Sequence, residues 1–250
     1  FNQDRGIVTV CRLIVGDLDK LQEVDQIREE MDRELEEAGV VAFPEVDVVS
    51  DFETGVLDVS QANGIAGLHS NTLMFGWSRQ KARLESQLRI MGALSYAGKN
   101  TIITRLNCAH EPGSEKRVDI WWGGLQNNGD LMLLLAYLLR LNPEWRNSRI
   151  TVRSVARDEE ERKLQLDGLA KLLPQTRIGA DTEVLVKPDN LSITEILHRI
   201  SANADIVFLG LQEPDHGGES AYADRIIELA EGLNTCIFVR SAGEFAGRLI

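Results

Sequence analysis

The sequence has no apolar run long enough to cross a bilayer, little cysteine and a deficit of basic charge, and each shortage excludes a class of protein. The most apolar stretch, Leu131 to Leu141, holds roughly eleven mostly apolar residues, whereas a spanning helix needs about twenty. It is therefore read as a helix buried in a globular fold. Lys and Arg number 27 against 39 Asp and Glu, a net charge of −12. That balance argues against nucleic acid and anionic membrane surfaces as partners, and no direct lipid insertion is expected.

Cysteine occurs only three times, an odd number at wide spacing. Cys11 and Cys236 lie in apolar, strand-like runs, so both are expected to be buried, reduced and cytosolic. No low-complexity segment and no short exact repeat appears. A signal-peptide pattern is also lacking in the opening FNQDRGIVTV. Because Phe1 stands where a start methionine is expected, the chain reads as a cut-out or processed piece.

What is present is an ordinary globular composition, 43% hydrophobic over 250 residues, enough for a substantial core. Strand-like and helix-like segments alternate throughout. Gly6 to Val15 reads as a strand, and Leu21, Val24, Ile27, Met31, Leu35 and Ala38 then recur at helical spacing, stopped by Gly39. The alternation continues with strands at 46–50, 72–77 and 101–106 and helices at 55–66 and 80–96. After Val118 it resumes with strands at 149–155, 182–186, 205–211 and 235–240 and helices at 131–141, 158–173, 193–201 and 221–232. Nearly continuous apolar strands alternating with helices predict an α/β fold, with mainly parallel sheets covered by helices on both faces. On the helix at 80–96, Leu84, Leu88 and Met91 form a face for the core in preference to a partner. The polar, Pro-Gly-containing stretch NCAHEPGSEKR is the best internal boundary. It divides the chain into a first half, 1–108, a connecting loop, 109–117, and a second half, 118–250.

Parallel α/β folds bind ligands at the loops after their strands. In LGLQEPDHGGESAYADRI, Gly217 and Gly218 make a turn whose N–H groups suit a phosphate, and Ser220 precedes a helix. The simpler reading is a surface loop with Ser220 as N-cap, because neither the spaced glycines of a dinucleotide site nor a Gly-Lys-Ser ending is present. Asp215, His216 and Ser220 suggest a hydrolase by type, but Tyr222 replaces the last Gly of a nucleophile elbow. Cys108, His110 and Glu111 include metal-ligand types without a matching pair elsewhere, so no metal site is expected. GGLQNNGD is a Gly-rich strand-to-helix turn of a kind that receives anions, and the simpler reading is a helix entry capped by Asn128 or its neighbours.

Three segments carry a family resemblance. KRVDIWWGGLQNNGDLMLLLAYLL, GIAGLHSNTLMFGW and ANADIVFLGLQEP resemble, in order, segments of the intracellular C-terminal domain of cation-chloride cotransporters of the amino acid-polyamine-organocation superfamily. The matching positions are Asp119, Trp121 and Trp122; Asn71, Thr72, Gly76 and Trp77; and Asp205, all with structural roles implied. The resemblance implies two halves of the Rossmann-like universal stress protein fold, and a non-catalytic cytosolic domain that regulates or stabilises a homodimeric transporter. Electroneutral transport of sodium, potassium and chloride would belong to a membrane domain of the same polypeptide, absent here. The chain lacks room for the long phosphorylated inserts of animal members, which points to a prokaryotic type. No cofactor is expected. The alternative is a soluble, universal-stress-protein-like nucleotide-binding protein, with ATP at the Gly217–Gly218 loop.

Two features of the segment KRVDIWWGGLQNNGDLMLLLAYLL are read from strand geometry. Trp121 and Trp122 point to opposite faces, one into the core and the other toward a helix layer or a subunit contact. Asp119, a carboxylate within an apolar strand, needs a partner, and Arg117, Lys116 or backbone N–H groups are the expected ones.

Overall fold

The computed structural model describes residues 6–65, 68–107, 115–123, 128–176 and 178–246. The chain divides into two compact units, Phe1–Ser70 and Asn71–Ile250.

In the first unit, β1 (Thr9–Val15) pairs in parallel with β2 (Phe43–Val49) through the crossover helix α1 (Leu21–Glu37). α2 (Phe52–Ala62) follows, then a short hairpin of β3 (Gly64–Ile65) and β4 (Leu68–His69). α2 begins three residues earlier than its apolar pattern predicts, because the Asp51 side chain accepts a 2.9 Å bond from Thr54 N–H and caps it. α2 sits close on β2 at Gly55, where a β-carbon would lie 2.7 Å from the Val49 side chain. The buried apolar residues here are few: Met31, Val46 and Val56. Cys11 is exposed on β1, contrary to the burial expected for it, because a two-stranded sheet has too few neighbours to cover both faces of its strands.

The second unit is built on a seven-stranded sheet. Its elements are β5 (Thr72–Gly76), α3 (Lys81–Tyr96), β6 (Asn100–Arg105), β7 (Arg117–Trp121), α4 (Gly129–Leu141), β8 (Arg149–Ala156), α5 (Glu159–Leu172), β9 (Asp181–Val186), α6 (Ile193–Ser201), β10 (Ile206–Gly210), α7 (Glu219–Ala230) and β11 (Thr235–Arg240). The strand order is β5-β6-β11-β10-β7-β8-β9, and every neighbouring pair is parallel except β6 with β11. Successive side chains feed opposite faces: Ile206 and Phe208 of β10 join one core with α4 and α5, while Val207 and Leu209 join the other with α3, α6 and α7. That two-sided burial explains the unbroken apolar strands. Leu84, Leu88 and Met91 of α3 are almost fully buried in the second core, each contributing roughly 1.5–3 kcal/mol.

The boundary expected at 109–117 is corrected by the sheet itself. β6 pairs antiparallel with β11 from Thr101↔Arg240 to Arg105↔Cys236, so the stretch between β6 and β7 joins two strands of one sheet. The division between compact units falls instead after Ser70.

The β6–β11 seam relates two similar βαβ pieces, β5-α3-β6 and β10-α7-β11. Each helix is followed by a left-handed glycine, Gly98 at φ 69° and Gly232 at φ 71°. Two residues later an asparagine side chain reaches back to a carbonyl at the start of the piece. Asn100 Nδ2 donates to Asn71 O at 3.0 Å, and Asn234 Nδ2 donates to Ala204 O at 2.9 Å. The repeat lies in backbone geometry and two asparagines, which is why no short exact repeat shows in the sequence.

Candidate functional site

The switch in strand order lies between β7 and β10, so the crevice at their carboxyl ends is where this topology places a ligand. The segments that carry the resemblance meet at this end of the sheet. Asn128, just before α4, is buried, and its Nδ2 donates to Leu211 O at 2.8 Å while its Oδ1 accepts from Ser241 N–H at 2.8 Å. It ties the exits of β10 and β11 together and makes no capping bond to α4, against the cap expected of it. Asn100 binds the same exit from the other side. Its Oδ1 accepts from Ala242 N–H at 2.8 Å, and its Nδ2 also reaches Thr72 Oγ1 at 3.1 Å. Thr72 Oγ1 donates in turn to Asn71 Oδ1 at 2.9 Å. Two consecutive backbone donors, at 241 and 242, are thus held by two buried asparagines.

The tryptophans divide between the two cores. Trp121 is buried among α3, α6 and α7 residues, and Trp122 packs against the core of α4 and α5. The Trp122 ring lies against Gly129, where a β-carbon would come within 2.2 Å of it. Trp122 also extends the β7–β8 pairing: its N–H donates to Arg153 O at 2.7 Å, and its carbonyl accepts from Ser154 Oγ at 2.9 Å.

Below the crevice runs a buried polar chain. Trp121 Nε1 donates to Ser201 Oγ at 3.0 Å, and Ser201 Oγ donates to Asp119 Oδ2 at 2.7 Å. Arg153 Nε sits 3.0 Å from the same carboxylate oxygen as an ion pair, without hydrogen-bond alignment. Arg153 Nη1 also pairs with Glu183 of β9. Asp119 therefore takes Arg153 and Ser201 as partners in place of Arg117 or Lys116, because alternation turns residues 117, 119 and 121 to one face and strand pairing sets Arg153 beside them. Arg117 acts through its backbone. It accepts from Asp205 N–H at 2.9 Å and donates to Asp205 Oδ2 at 2.7 Å, locking the starts of β7 and β10 at the opposite end of the sheet. Gly76 and Trp77 also lie away from the crevice. Gly76 O accepts from Gln87 Nε2 at 3.0 Å, and Trp77 stacks on Phe238 with centroids 5.6 Å apart.

The loop after β10 turns at Gly217, φ 84°, with Gly218 N–H donating to Asp215 O at 2.7 Å. Gly218 is the N-cap of α7; Ser220, expected there, is an exposed residue inside the helix, because α7 starts at Glu219. The N–H groups of Glu219 itself and of Gly217 hold the Glu219 carboxylate below the usual range. Asp215, His216 and Ser220 are all exposed. Cys108, His110 and Glu111 lie outside the described residues. Among the described residues no group of three His, Cys, Asp or Glu is arranged to hold a metal. Burial pushes the Cys236 thiol up to about 11, so it stays protonated at neutral pH.

Asn100, Ser201 and Arg153 were not singled out by sequence. The available signal was a polar residue in an apolar strand, Asn100 opening NTIITR and Arg153 interrupting RITVRSVA.

Residues 78–192 match the family model described as solute carrier family 12. That stretch is similar to solute carrier family 12. The matched stretch contains Asn100, Asp119, Trp121, Trp122, Asn128 and Arg153, so it takes in both buried asparagines and the buried polar chain apart from Ser201. By structure, the chain is similar to the cytoplasmic domain of a prokaryotic cation chloride cotransporter, with TM-score 0.67 and 17% identity over 97% of this chain and 88% of that one. It is also similar to a universal stress protein from Archaeoglobus fulgidus DSM 4304, with TM-score 0.53 and 14% identity over 95% and 87%. At these identities the likenesses establish the fold: α/β, mostly parallel, of the universal stress protein kind. No helix among the described residues is long and apolar enough to cross a membrane.

Proposed function

We propose that the chain is the non-enzymatic cytosolic regulatory and dimerisation domain of a prokaryotic-type cation-chloride cotransporter. Sodium, potassium and chloride symport would be carried out by a membrane domain of the same polypeptide. The observation that carries this reading is the family 12 match across residues 78–192, on a chain whose fold follows a cotransporter's cytoplasmic domain over 97% of its length. The polar side chains of this end of the sheet support a scaffolding role, since Asn71, Thr72, Asn100 and Asn128 bond to one another or to strand ends, and Asp119 bonds to Ser201 of α6.

An immunoblot of fractionated source cells with an antibody to this chain tests the reading. A membrane band much larger than the 250-residue chain is expected; a soluble band of the chain's own size overturns it. The homodimer is tested by sedimentation of the purified chain, where a mass that doubles with concentration is expected.

The universal stress protein likeness favours a second reading, nucleotide binding at the loop after β10. The Glu219 carboxylate at this loop would repel a phosphate, so saturable ATP binding that strengthens in Glu219→Gln would support it.

A further inference from the structure

Two of the hollows among the described residues of the second unit contain arginines. One, of about 380 Å³ over β8 and β9, has Arg149 paired with Asp181 and Arg153 with Glu183, beside Arg117, and so contains carboxylates of its own. The other, of about 360 Å³, lies at the end of α4 and is lined by Tyr137, Arg140, Leu141, Arg146, Ile178 and Gly179. Among the described residues no carboxylate lies within ion-pair distance of Arg140 or Arg146. Arg140 and Arg146 thus bring two unneutralised guanidiniums to one hollow.

The geometry around them is that of a fork held from behind. Arg140 Nη1 donates to Gly179 O at 3.1 Å, which restrains the guanidinium and leaves its other N–H donors for a ligand. Arg146 follows the short helix Pro143–Trp145 and is exposed. Tyr137, Leu141 and Ile178 supply an apolar wall beside the two charges, and the Tyr137 hydroxyl has no partner among the described residues. Guanidiniums match the planar oxygens of carboxylate and phosphate, and a mixed polar and apolar lining selects a ligand carrying both.

We propose that this hollow binds a small organic oxyanion, a phosphomonoester or carboxylate on an apolar body, as a site separate from the strand-end crevice. The site goes beyond the assembly role and does not depend on it. Phenyl phosphate, benzoate and inorganic phosphate, titrated calorimetrically into the 250-residue chain, are suitable probes. Phenyl phosphate or benzoate is expected to bind with a dissociation constant on the order of 1 mM or tighter, and inorganic phosphate roughly tenfold more weakly. Arg146→Ala and Arg140→Ala should each weaken the organic anion roughly tenfold or more, the loss of a charge-assisted bond. Arg146→Ala, an exposed position, should keep the parent's thermal melting and so guard against a folding artefact. No saturable binding of either organic probe, equal binding of inorganic phosphate, or unchanged affinity in both variants would overturn the assignment.

Discussion

At the scale of single residues, the molecule depends on buried polar groups whose partners are far away in sequence. Asn128 supplies a donor to Leu211 O and an acceptor to Ser241 N–H, both in a water-excluded place. Asn128→Ala leaves both backbone groups unpaired. The expected loss is about 2–5 kcal/mol, read as a lower urea midpoint with an unchanged slope. The Asp119–Arg153 pair makes a sharper case, because the Asp119 charge has Arg153 as its one cationic partner among the described residues. Asp119→Ala alone should cost about 3–5 kcal/mol, whereas Asp119→Leu combined with Arg153→Met should cost far less. A double-mutant cycle in urea checks this, and simple additivity of the two single losses would refute coupling. Neither partner of Asp119 was legible in the sequence. Ser201 is 82 residues away, and nothing in a strand pattern says which neighbour lies alongside.

At the scale of elements, glycine and capping residues decide where helices begin and how closely they sit. Gly129 starts α4 under the Trp122 ring, so Gly129→Ala should displace the indole and destabilise the unit by about 1–3 kcal/mol. A shift in tryptophan fluorescence should accompany the loss, since Trp122 moves; an unaltered spectrum would show that the ring is not seated on this glycine. Helix starts also set the acid response. The Glu195 carboxyl is held low by the Ser192 N–H in the capping box of α6, and Glu161 is held low by the N–H and guanidinium of Arg157. A carboxyl whose folded pKa lies below its unfolded value stabilises the fold above the unfolded value, and loses that contribution as pH falls through the folded one. Stability should therefore hold from neutral pH down to about 4.5 and decline below it, and Glu195→Gln should flatten part of that decline in acid titrations followed by circular dichroism. The capping box Ser192-x-x-Glu195 could be read from sequence, because its partners are three residues apart. The bridging role of Asn128 could not, because the same residue type at a helix start usually caps.

At the scale of the whole molecule, the two units differ in what they bury. The second contains both large cores and a seven-stranded sheet, whereas the first has a two-stranded parallel sheet with exposed Ile7, Val10, Val15, Val41 and Phe43. A fragment of residues 71–250 is expected to unfold cooperatively when made alone, and one of residues 1–70 to lack a cooperative transition. Calorimetry of the two fragments checks this; a sharp transition in the smaller one would show that its few buried residues suffice.

The alternation of strands and helices, the parallel class and the helical core face of Leu84, Leu88 and Met91 were determined by the sequence alone, because burial on two sides of a strand or one side of a helix writes a periodic apolar pattern. The dense family segment around Trp121 and Trp122 was legible for the same reason: its residues are neighbours in the chain. Direction and distance were decided only by the tertiary structure. Apolar strands carry no mark of orientation, so the antiparallel β6–β11 seam, and with it the place of the unit boundary, waited on the sheet. Polar partners brought together across the fold, Asn128 with Ser241 and Asp119 with Arg153, followed from that same placement, since a buried hydrogen bond or ion pair requires closeness in space and leaves no periodic trace along the chain.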